Sequence, residues 1–276
     1  MTELPCRSGV LLAAHGERRG AGDNATVVAL ASQLAQRDVA AEVRVGFING
    51  SPTIGEAAHG FAASEILVYP LFMADGHFTR MRLPQLVAEA QRQEPHRRIG
   101  ILPALGLDPG LAGLVADKVT VAARGRGLPD HAVSVALLAH GSASSAASRL
   151  ATQALGRRIG ALDRFATVSC AFLEEPPALA DCVRRLAGPV IVIALFIGDG
   201  LHGGEDVPAL MRALRCDVTF GGSVGAWPEI AEIVSAAMRV RGGASTAAIC
   251  AARGAAQLTP GLAGSRGRAR TSAARS

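Results

Sequence analysis

The sequence predicts an α/β protein built as a duplicated unit, each copy a parallel sheet flanked by helices. The first observation is internal repetition. "SGVLLAAHGERR" at 8–19 is echoed by "SVALLAHGSAS" at 134–144, which sets His15 and His140 125 residues apart. "EVRVGFINGSPTIGEA" at 42–57 returns as "TVSCAFLEEPPALADC" at 167–182, with Phe47 and Phe172 again 125 apart. "EILVYPLFMADGHFTRMRLPQL" returns as "PVIVIALFIGDGLHGGEDVPAL", placing Pro84 and Pro208 124 apart, and "LGLDPGLAGLV" as "VGAWPEIAEIV" at an offset of 119. Matching blocks in one order at nearly one offset describe a repeated unit of ordinary domain size. The second observation is rhythm: short apolar runs alternate with helical patterns, the signature of an open parallel sheet covered on both faces.

Taken in order, Val10–Ala14, Ile66–Phe72, Val133–Ala139 and Val190–Ile197 read as strands buried on both faces. "NATVVALASQLAQRD" repeats Val27, Leu30 and Leu34 at helical spacing, with Asp23 or Asn24 placed to cap it. "SAASRLATQALGRRIGAL" is its counterpart. "ARGRGLPDHAV" at 123–133 is the natural linker. The expected organisation is an N-terminal unit over 1–125, a C-terminal unit over 126–240, and a basic, disordered tail over 241–276.

Composition narrows the class. Nearly half the residues are apolar (49%), enough for packed cores, and the formal charge is +5. The segment from Arg239 onward holds seven arginines and no acidic residue, so the basic balance need not describe the functional surface. The five cysteines are widely spaced with no C-x-x-C, neither a disulfide framework nor a thiolate zinc site. The N-terminal stretch lacks the pattern of a signal peptide, and no uninterrupted apolar run reaches transmembrane length. A cytoplasmic protein without membrane or nucleic-acid partners is expected; no pattern sets its oligomeric state.

Ligands of open parallel sheets bind beyond the carboxyl ends of the strands. His15 and His140 follow the first strand of each unit, and His202 follows the Val190–Ile197 run. One histidine after a strand is more often a loop anchor than a ligand. The comparison between units sharpens the case: counted back from the shared proline, His202 aligns with Phe78, and Glu174 aligns with Asn49. The second unit thus carries His140, Glu174 and His202 where the first carries His15, Asn49 and Phe78. Adjacent strands lie about 5 Å apart, so these groups can converge. Two imidazoles and a carboxylate suit a divalent first-row metal, and three ligands suit a transfer or catalytic site rather than a closed structural one. Glu205 and Asp206 fit a helix start better than a ligand set. Arg18, Arg19, Arg80 and Arg82 fit solvated surface charge at least as well as carboxylate partners, and Ser142, Ser144 and Ser145 read best as helix caps.

"HG" after the first strand, "FLE" after the second and "LFIGDGLHGGEDVP" after the last resemble the motifs of the small ATP-independent tetrapyrrole chelatases. This is the family of sirohydrochlorin cobaltochelatase and ferrochelatase. The resemblance spans roughly residues 8–240. It implies two flavodoxin-like domains flanking a cleft, and a metal site at His140, Glu174 and His202, the residues it also makes catalytic. Asn49 and Phe78 break the pattern in the N-terminal unit. The implied activity is insertion of a divalent metal, Co²⁺ favoured over Fe²⁺, into sirohydrochlorin or a related polycarboxylate tetrapyrrole, in cobalamin or sirohaem synthesis. Metal and macrocycle are substrates; no tightly bound cofactor and no nucleotide site is expected. The pattern does not divide ligation and proton removal among the three residues, nor say whether His15 or His77 contributes. Two rivals stand beside this reading: a non-catalytic cytoplasmic metal carrier, and a two-domain binding protein for a small anion.

Overall fold

The computed structural model describes residues 8–16, 24–198, 207–214 and 217–240. Two four-stranded parallel sheets are present. The first comprises β1 (Gly9–Ala14), β2 (Val43–Phe47), β3 (Glu65–Pro70) and β4 (Arg98–Ile101), in the order β2-β1-β3-β4. The second comprises β5 (Ser134–Ala139), β6 (Thr167–Phe172), β7 (Val190–Ala194) and β8 (Val218–Ser223), in the order β6-β5-β7-β8. In both, strand order reverses beside the central first strand, so the crevice for a ligand lies at the carboxyl ends of β1 and β5. Both expected long strands end early. β3 stops at Pro70 and β7 at Ala194; their last donations to β1 and β5 are Leu71 N to Ala13 O and Leu195 N to Leu138 O, each 2.8 Å.

Helices α1 (Ala25–Gln36), α2 (Ile54–Ala58), α3 (Leu83–Gln93) and α4 (Gly110–Arg124) accompany the first sheet in sequence. Helices α5 (Ala147–Gly160), α6 (Leu179–Arg185), α7 (Val207–Ala213) and α8 (230–240) accompany the second. Along β1, Val10, Leu12 and Ala14 face one core while Leu11 and Ala13 face another, and β5 divides likewise. That alternation is the two-residue period of a strand covered on both faces. The expected cap on α1 is absent at Asn24. Its backbone (φ −121°, ψ 16°) lies outside the extended region from which a capping side chain reaches back, and it makes no side-chain cap bond; Asp23 lies outside the described residues. Cys170 and Cys182 are free thiols whose burial pushes them up, Cys170 to about 11, so they are unreactive packing residues.

The two units share one core. Helix α4, which the sequence assigns to the first unit, packs on α5, β7 and β8 of the second. Its buried face, including Leu111, Val115 and Val119, joins a cluster with Val135, Leu137, Ile191 and Ile193. Ile230 of α8 meets Val27 and Leu30 of α1, and Glu232 pairs with Arg37. Each unit therefore lends its last helix to the other. Polar ties reinforce the exchange: Lys118 to Glu229 at 2.7 Å and Arg164 to Asp117 at 2.8 Å.

Isolated units would leave these faces in water, at about 1.5–3 kcal/mol for each large side chain. Residues 1–128 expressed alone are thus expected to show no cooperative thermal transition by circular dichroism, and to gain one when 129–276 is added. A sharp melt of the isolated segment would contradict the exchange.

Candidate metal-handling site

At the end of fully buried β5, the chain must leave the sheet sharply. Gly141 does this at φ +75°, where a Cβ would lie 2.9 Å from Phe172 Cβ and from Glu175 Cγ. The turn leaves His140 half-buried at the sheet's carboxyl edge. The following stretch of β6 is stitched to it: Glu174 N donates to His140 O at 2.9 Å. The side chains meet as a result, with His140 Nδ1 3.5 Å from Glu174 Oε2. Both side chains keep contact with solvent, at 39% and 54% exposure, so an arriving ion can reach them. His140 Nδ1 also lies 3.3 Å from Gly141 O, so this nitrogen faces two acceptor oxygens and Nε2 is the one that would take a ligand.

The first unit repeats the backbone and changes the chemistry. Gly16 turns at φ +77°, and Asn49 N donates to His15 O at 2.8 Å. The side-chain pair is now an amide and an imidazole: Asn49 Nδ2 lies 3.2 Å from His15 Nε2, and His15 Nδ1 lies 3.0 Å from Gly16 O. With an amide donor on Nε2, the imidazole carries its proton on Nδ1. The ring of Phe78 meets His15 edge-on, 4.7 Å between centroids. His15 is held in place, and among the described residues its side-chain partners include the Asn49 amide and the Phe78 ring.

His202 lies outside the described residues, as do Arg18, Arg19, Gly200, Gly203, Gly204, Glu205 and Asp206. The structure therefore joins His140 to Glu174; among the described residues no group of three metal-ligating side chains is assembled. The loop that leads toward His202 is anchored at its base. Gly225 N donates to Phe196 O at 2.8 Å, and a Cβ on Gly225 would stand 1.8 Å from Ile197 O. Gly106 repeats this contact in the first unit, against Met73 O at 2.0 Å.

Other expectations are revised. Arg80 pairs with Asp75 at 2.9 Å, and both Arg80 and Arg82 are exposed. Of the three serines, only Ser145 serves the helix start, its Oγ accepting from Ala147 N at 3.3 Å, while Ala146 holds the cap position. Ser142 and Ser144 bond each other at 3.1 Å. With Arg149, Glu174 and Glu175 they line an open cavity of about 390 Å³. Glu175, which sequence reasoning passed over, is buried to 6% side-chain exposure; it accepts from Ser142 N at 3.1 Å and pairs with Arg149. It ties the loop after β5 to the loop after β6, and so holds His140 and Glu174 in register. The "EE" doublet was the visible signal, but only packing tells which carboxylate turns inward.

Comparison with known proteins shows the family and the fold. The CbiX family model matches residues 9–122 and 134–240. A probable sirohydrochlorin cobaltochelatase of Halobacterium salinarum is 20% identical over 259 residues, covering 82% of this chain and 88% of its own. The structure of CbiX described as the terminal enzyme for biosynthesis of siroheme in denitrifying bacteria is 29% identical with a TM-score of 0.67, covering 85% of this chain and 99% of its own. SirB from Bacillus subtilis with Fe³⁺ is alike in fold, with a TM-score of 0.72 at 17% identity over 87% of this chain and 98% of its own.

Proposed function

The chain belongs to the CbiX family, and from that premise we propose that it inserts Co²⁺ into sirohydrochlorin without ATP, using one metal-handling site in its second unit. The observation that carries this reading is the His140–Glu174 pair at 3.5 Å, set against the His15–Asn49 pair at the equivalent place. One unit has kept a nitrogen and a carboxylate for a cation; the other holds an imidazole bonded to an amide.

Metallation exchanges two pyrrole N–H protons for one M²⁺, so the site must hold the ion loosely and then accept protons. Imidazole and carboxylate ligands suit the first task, because their bonds to a divalent ion exchange readily when coordination positions stay open. Once the ion moves into the ring, the same two groups are vacated bases facing the pyrrole nitrogens. His202 is proposed as the third ligand from its place in the sequence. The serine-lined cavity beside Glu174 offers hydroxyl donors to a peripheral carboxylate of the macrocycle. The scheme draws on no nucleotide and no resident cofactor.

Iron is the second reading, favoured by the 29% identical relative described as an enzyme of siroheme biosynthesis. The two metals make similar demands on nitrogen and oxygen ligands, so residue types do not choose between them. Anaerobic absorbance spectra of the protein mixed with sirohydrochlorin and Co²⁺, then Fe²⁺, each against a blank without protein, test both. Faster metallation with cobalt supports the proposal and faster metallation with iron supports the second reading. Metal binding with no acceleration would leave a metal carrier.

A further inference from the structure

Where the second unit has His202, the first has an aromatic ring on display. Phe78 opens a π-helical turn, Phe78–Arg82, a wide-turn geometry that recurs at functional sites. Its ring is parallel to that of Phe72, 6.4 Å between centroids at 8°, and is met edge-on by His15 and by His77. These contacts fix the orientation of the ring without burying it: Phe78 stays 37% exposed and Met81, one turn on, 52%. A residue serving only to fill space would be covered, as Phe61 and Phe47 are at 1% and 2%.

The same loop reaches the second unit. A Cβ on Gly76 would lie 3.5 Å from Ala147 Cβ at the start of α5, next to Ser148, whose Oγ accepts from Gly141 N at 3.2 Å. Gly141 is the turn that presents His140. An oriented, exposed aromatic thus stands two residues from the approach to α5, with the exposed Arg82 in the same turn.

We propose that Phe78, with Met81 beside it, is the holding surface for the flat conjugated macrocycle, covering one face while His140 and Glu174 serve the other. This inference rests on the chelatase reading. The substitution of an aromatic for a ligand would then be a change of task for the first unit, from metal to ring. Edge and face contacts to a conjugated ligand give a Phe more than its buried area alone, and a flat ligand gains most from a flat partner whose rotamer is already fixed.

The test is an anaerobic titration of metal-free sirohydrochlorin into the full chain, read by the macrocycle's absorbance, for wild type, Phe78→Ala and Phe78→Tyr. Phe78→Ala is expected to weaken binding about tenfold and Phe78→Tyr to stay within about twofold of wild type. The Tm of Phe78→Ala should fall by no more than about 2 °C, since the ring is already exposed. Equal binding by wild type and Phe78→Ala overturns this inference alone. Weak binding by Phe78→Tyr as well as Phe78→Ala also overturns it, because the flat ring is then not what matters. A wild type that binds no sirohydrochlorin overturns the chelatase reading and this inference with it.

Discussion

His140→Ala is expected to slow metallation of sirohydrochlorin by at least about a hundredfold, the usual scale for losing a positioned acid–base group that also ligates the metal. The side chain stands at the turn after β5 with 39% exposure, so the loss should come with little change in Tm. Glu174→Gln keeps shape but removes the negative charge and the proton acceptor. A drop of about tenfold to a hundredfold is expected for it, steeper at low metal concentration, where ligation limits the rate. Rates measured across a cobalt titration separate the two roles. A Glu174→Gln variant that regains wild-type rate at saturating cobalt would make the carboxylate a ligand only, and leave proton removal to the histidines.

The second large effect is on the scaffold. Gly225→Ala drives a Cβ to within 1.8 Å of Ile197 O, a backbone atom that cannot swing aside as a side chain tip would. Overpacking of this kind costs about 3 kcal/mol or more, which for a chain of this size lowers Tm by roughly 6–12 °C. Gly106→Ala meets Met73 O at 2.0 Å and should destabilise comparably. The two are expected to part company in activity. Gly225 props the loop at Ile197, five residues before His202, so Gly225→Ala should lose more metallation per degree of lost Tm than Gly106→Ala. Equal activity losses at equal Tm would mean that the loop base contributes only stability.

Much of this was legible in the residues. Apolar runs of two-faced strands, the repeated blocks and the substitution of Asn49 and Phe78 for Glu174 and His202 gave the architecture and pointed to His140 and Glu174. The helix exchange was not legible. The pattern of Leu111, Val115 and Val119 says that α4 buries a face, but any sheet of suitable width would satisfy it. The Glu175–Arg149 tie was hidden for a related reason. Side-chain direction after β6 depends on how the Gly141 turn meets it, and that turn is set by a distant strand. Asn24 had the right chemistry for a cap and the wrong backbone angles. The orientation of Phe78 rests on Phe72 and His15, from two different strands, and sequence spacing holds no record of that meeting.

Whether chemistry belongs to one unit of the pair is read from the metallation rate of His15→Ala beside that of His140→Ala under identical anaerobic conditions. Retention of at least about half the wild-type rate by His15→Ala, with loss of about a hundredfold or more in His140→Ala, is the predicted result. Comparable losses in both variants, or a greater loss in His15→Ala, would contradict it and return the first unit to the active site.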